Sequence, residues 1–123
     1  MVLQIVELTP YSSADGKHKL KFAWNIEGIE WVLGAYQDVS GLTPENPVPL
    51  VKLARITVWK NYDMVQQIKF YDSENELLHS YSTGRDPGTN KTEYLRPDGA
   101  RLVGFDAPYN AALRVTDFEP IFL

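Results

Sequence analysis

One plan recurs three times along this chain: a short strand-like run ending in an aromatic residue, a polar loop, and a returning run that ends in another aromatic. The first copy is Lys21-Phe22-Ala23-Trp24, then Asn25-Ile26-Glu27-Gly28, then Ile29 to Tyr36. The second is Arg55 to Trp59, then Lys60-Asn61-Tyr62-Asp63, then Met64 to Tyr71. The third is Arg101 to Phe105, then Asp106-Ala107-Pro108-Tyr109-Asn110, then Ala111 to Phe118. Loops this short connect neighbouring antiparallel strands. The first aromatics of the copies, Trp24, Trp59 and Phe105, are expected to point inward and share a central core. Three hairpins of one plan predict pseudo-threefold packing. The fold class is all-β: a β-prism of three antiparallel sheets, with a β-trefoil as the alternative.

The punctuation between these runs agrees. Ala14-Asp15-Gly16, Thr43 to Pro47, Arg85-Asp86-Pro87-Gly88 and Arg96-Pro97-Asp98-Gly99 are turn sequences. Eight glycines and eight prolines spread in this way leave little room for a long helix. The best helical segment, Val48 to Ala54, is short and flanked by proline. No linker or low-complexity stretch divides the chain, so residues 1–123 are expected to form a single domain, a length that can bury a core without cross-links.

Composition excludes several classes of function. Without cysteine there is no disulfide, thiolate nucleophile or sulfur-ligated metal. A net charge of −4 argues against a general nucleic-acid binder and against docking on anionic membranes. No segment has the apolar length of a membrane-spanning helix, so no membrane insertion is expected. The N-terminus lacks a signal-peptide pattern, which places the chain in the cytosol if Met1 is the native start. Its compartment is otherwise open.

The second half resembles a jacalin-related lectin domain, a β-prism family. The resemblance runs from about Leu53 to Leu123 and rests on Ile56-Thr57-Val58, Val65 to Phe70, Tyr81 to Gly84, and Pro97 to Phe105. Leu102-Val103-Gly104-Phe105 is its most specific piece, similar to the family's hydrophobic-Val-Gly-Phe entry into the final hairpin. Leu113 and Phe118 stand where that family places apolar residues in its last strand. The resemblance implies a sugar site in the final hairpin loop, built on a Gly-x-x-x-Asp motif. This chain departs from it: Asn110 takes the glycine's place and Arg114 the aspartate's. An acceptor-only carboxylate has become a donor-only cation. The glycine-rich opening of the family is also missing from residues 1–20.

Together these features predict a non-catalytic jacalin-like binding module that recognises a glycan through its hairpin loop tips. The candidate residues are Asn25 and Glu27 in the first loop, Asn61, Tyr62 and Asp63 in the second, and Asp106, Tyr109, Asn110 and Arg114 in the third. Trp31, Tyr62 and Tyr109 are the aromatics expected to be exposed. The alternative is a protein-interaction or structural subunit on a lectin-like scaffold with a degenerate sugar site, and a homo-oligomer is open. Catalysis finds little footing. His18 and His79 stand in no metal spacing, and Ser80 points to the opposite strand face from His79. Asp72 to Glu76 lacks the spaced ligands of a calcium loop and is expected to be a hairpin turn. No cofactor and no metal is expected.

Overall fold

Runs of β-branched and aromatic residues between turn sequences fold here as strands alone. The computed structural model describes residues 3–25, 30–33 and 39–123 (backbone alone at 30–32), and there is no helix among the described residues. The strands are β1 (Ile5–Ser12), β2 (His18–Trp24), β3 (Glu30–Leu33), β4 (Thr43–Pro44), β5 (Val48–Pro49) and β6 (Leu53–Asn61). They continue as β7 (Met64–Asp72), β8 (Leu77–Ser82), β9 (Asn90–Leu95), β10 (Leu102–Asp106) and β11 (Glu119–Phe122). The Val48–Ala54 segment supplies β5, a turn and the start of β6.

Three antiparallel sheets result. The first has the order β3-β2-β1-β4, with β5 also on β1; the second is β8-β7-β6-β9; the third is the pair β10-β11. They do not close into a barrel, so the architecture is the β-prism and not the trefoil.

Each sheet sends a phenylalanine to the middle. Phe22 of β2, Phe70 of β7 and Phe105 of β10 meet there with Phe118, which precedes β11. Ring centroids lie 4.4 Å apart for Phe22–Phe105, 4.5 Å for Phe105–Phe118 and 6.3 Å for Phe22–Phe70, the range of favourable aromatic contact. Ile5, Leu8, Leu20, Leu53, Ile56 and Ile68 complete a core with no accessible surface to speak of.

The pseudo-threefold expectation holds, with three corrections. Trp59 is not part of this core. Strand alternation turns Ile56 and Val58 inward, so Trp59 faces outward, where the Lys69 ammonium lies 5.4 Å from its ring centre. Trp24 is half-buried at the edge of the core, its indole N–H donating to the Val103 carbonyl at 3.1 Å. The third correction is the return of the last hairpin, expected over Ala111 to Phe118. That stretch belongs to a loop spanning 107–118, and the strand returning beside β10 is β11, with Leu102 opposite Phe122 and Asp106 opposite Glu119. Only the bridge between Tyr109 and Val115 is sheet-like within the loop. Leu113, expected in a strand, is exposed with a φ of 58°. The apolar C-terminus closes the third sheet, and Leu123 exchanges two backbone hydrogen bonds with Arg101.

Candidate functional site

The β6–β7 turn is built by the tightest connection available. Tyr62 and Asp63 alone link the strands, both with left-handed backbone (φ 56° and 58°), as a two-residue type I′ hairpin requires. The expected four-residue loop is shorter because Lys60 and Asn61 still pair with Val65 and Met64. Glycine and asparagine usually fill such positions; a tyrosine there is strained. Its ring is 54% exposed at the tip and stacks on the Arg85 guanidinium, 4.3 Å from the ring centre.

Asn61 is a positioning residue and not a free contact. Its amide oxygen accepts from the Tyr62 N–H at 3.1 Å, and its amide nitrogen donates to the Asp86 carbonyl at 2.9 Å. Gly88 makes this possible: with φ 69°, a Cβ there would stand 3.0 Å from the Asn61 Cγ. Beneath the turn lies Gln66, fully buried. It donates to the Asn61 carbonyl at 2.9 Å and accepts from the Thr83 hydroxyl, tying the turn to the end of β8.

The 107–118 loop is shaped by side chains. The Asn110 amide oxygen accepts from the N–H groups of Ala112 (2.9 Å) and Arg114 (3.1 Å), a local capture that competes with a strand ladder. The loop docks on the second sheet through the Val65 N–H, which donates to the Val115 carbonyl at 2.9 Å, and through a Lys60–Asp117 ion pair at 3.6 Å.

Seven of the nine residues expected from sequence therefore gather at one end of the prism: Asn61, Tyr62, Asp63, Asp106, Tyr109, Asn110 and Arg114. Asn25 is not among them. It lies at the opposite end of β2 from His18, about 20 Å along the strand. There its backbone and side chain pair with Gln4. Glu27 and the rest of its loop lie outside the described residues. The turn that takes the expected place is the one between β1 and β2, where Lys17 and His18 line a groove together with Met64 and Arg114. Tyr109 is exposed as expected, and Trp31's side chain lies outside the described residues.

Two concavities flank the Tyr62 tip. One is a shallow depression of about 420 Å³ lined by Lys60, Asn61, Tyr62, Asp63, Asn90 and Thr116. The other is a groove of about 240 Å³ between the first two sheets and the 107–118 loop. Its wall includes Tyr81, whose phenol is pushed above its ordinary pKa by burial, an effect the nearby Arg114 cation opposes. Sequence reasoning missed Lys17, Gln66, Thr83, Arg85, Asn90 and Thr116. The turns at Ala14-Asp15-Gly16 and Arg85-Asp86-Pro87-Gly88 were visible, but not which end of the prism each would reach.

The Asp72–Glu76 segment is a hairpin turn, as expected: the Asp72 carboxylate accepts from the N–H groups of Glu74 and Glu76, with Asn75 left-handed. No helix among the described residues is long and apolar enough to cross a membrane.

No family model and no curated protein matches the chain. Among solved structures it is similar to jacalin, crystallised as a complex with melibiose (Gal-α(1-6)-Glc), at a TM-score of 0.60 and 14% identity. The match covers 97% of this chain and 91% of that one. At such identity the likeness speaks for the fold: the chain has a jacalin-like β-prism fold.

Proposed function

We propose that this chain is a non-catalytic glycan-binding module whose ligand lies across the Tyr62 tip. The observation that carries this reading is the turn itself. A bulky aromatic is held in a strained left-handed conformation, more than half exposed, and a buried amide network fixes it from below. Strain kept at an exposed tip points to function. The Tyr62 ring offers a face to a pyranose. The adjoining depression supplies groups suited to sugar hydroxyls: the Asp63 carboxylate accepts, the Asn90 amide does both, and the Thr116 hydroxyl adds a further acceptor. Jacalin's complex with a disaccharide supports the reading by analogy of fold. The standard family geometry is not the means, because Asn110 is spent on its own loop and Arg114 replaces the acid.

A glycan array followed by calorimetry tests the proposal. Binding of at least one glycan is expected, with loss of about tenfold or more in Tyr62→Ala while the melting temperature holds or rises. Failure of every glycan at millimolar concentration sinks it.

A second reading, a protein-binding subunit, draws on the opposite end. Val51, Leu77, Leu95 and Leu123 stand between 49% and 76% exposed there. Apolar side chains left in water at one end suit a protein contact. Light scattering over a concentration series checks it; a monomer throughout, with no co-purifying protein, counts against it.

A further inference from the structure

The groove beside the Tyr62 tip is cationic against the grain of the chain. Acidic residues outnumber Lys and Arg 16 to 12 overall, yet Lys17, Lys19, Arg85 and Arg114 all line this groove and no Asp or Glu among the described residues does. The cations are not equivalent. Lys17 is held by Asp15 at 3.7 Å, and Lys19 is buried in the wall. Arg85 and Arg114 are exposed, and neither guanidinium forms an ion pair among the described residues. Arg85 is oriented by its stacking on Tyr62, which leaves its in-plane N–H groups available. Arg114 enters from the 107–118 loop, its backbone fixed by Asn110. The polar groups of the floor are already satisfied, since Gln66 and Thr83 bond to one another. Among the described residues, no group of the groove's lining carries negative charge.

We infer that this groove binds the carboxylate or sulfate group of an acidic saccharide, with Arg85 and Arg114 as its contacts. This rests on the glycan reading above and narrows it to a ligand class. A guanidinium pairs with either anion through two parallel hydrogen bonds. The groove's 240 Å³ suits one charged sugar unit, and it opens beside the ring of Tyr62, so a single chain spans both. The arginine that departs from the lectin pattern then has a role of its own: it changes which sugars bind.

The test is an NMR titration of the intact chain with a sulfated heparin-type disaccharide, its desulfated counterpart, inorganic sulfate and a polyglutamate peptide. The sulfated disaccharide is expected to shift the amides of Thr83, Arg85, Arg114 and Val115, and to bind about tenfold or more tighter than the desulfated one. Arg85→Gln and Arg114→Gln should each erase most of that margin, and raising NaCl should do the same in the unaltered chain. Equal binding of the two disaccharides overturns the inference and leaves the glycan reading standing. So do shifts confined to Lys60, Asn90 and Thr116. Polyglutamate binding as tightly as the sulfated disaccharide assigns the groove to acidic peptides instead. No response to any saccharide overturns both readings.

Discussion

The β6–β7 turn and the 107–118 loop reach the same end of the prism by opposite means. The turn is minimal: two left-handed residues, with strand pairing up to both. The loop is long, holds a single bridge, and owes its course to Asn110 and to contacts with the neighbouring sheet. Backbone geometry specifies the first and side-chain capture the second. The site joins a rigid tip to a loop that lies against it, and each part should fail in its own way.

The largest effect is expected beneath the turn. Gln66→Ala removes a buried amide that satisfies the Asn61 carbonyl and the Thr83 hydroxyl, leaving both without it. A loss of about 3 kcal/mol is expected by urea unfolding, with the whole second sheet affected. Asn110→Ala should cost less, about 1 kcal/mol, because its two hydrogen bonds are exposed. Its signature is local: faster hydrogen exchange at Ala112 and Arg114 with the β6–β7 turn untouched. If the turn loosens equally, the two regions are one cooperative unit and the contrast fails.

A smaller change should go the other way. Leu113 holds a left-handed backbone with its side chain exposed, so Leu113→Gly relieves strain. A gain of about 0.5–1 kcal/mol is expected in thermal melts. The mildest effect distinguishes the sheets by pH. Burial holds the pKa of His79, on β8, below its ordinary 6.5, with Glu45 opposing. The folded chain thus favours neutral His79, and the unfolded chain takes up the extra proton as pH falls through 6.5. Stability from this source is full above that pH and declines below it, until the folded group also protonates. His79→Gln should flatten the difference in melting temperature between about pH 8 and about pH 5. Exchange in the second sheet, and not in the third, should report it.

These contrasts also explain what the sequence made legible. Strand chemistry and turn punctuation were enough for an all-β prism, since Ile56-Thr57-Val58 or Gln67 to Tyr71 has no good alternative. The phase of the repeat was harder. Trp24, Trp59 and Phe105 are equivalent by spacing, but alternation along β6 turns Trp59 outward, while Trp24 shares the face of Phe22 and stands at the strand's end, on the rim of the core. The first copy was matched one strand late, which sent Asn25 to the wrong end. The third was broken by Asn110, whose local hydrogen bonds replace the ladder that its apolar neighbours suggested. Arg85 and Thr83 joined the site because the β7–β8 hairpin returns the chain beyond Ser82 to the end that carries the Tyr62 turn, a placement that turn residues alone do not reveal.

The phenylalanine cluster has a consequence for how the chain is made. The first two sheets consist largely of hairpins between neighbours in sequence, but their shared core needs Phe105 and Phe118. The Trp24 indole waits for a carbonyl 79 positions later. Such distant partners slow folding, because the intervening chain must be ordered before they meet. During synthesis the early strands therefore emerge with Phe22 and Phe70 uncovered, and only the arrival of β10 and β11 shields them. A nascent chain of this design depends on its final fifth to stop its earlier strands from aggregating.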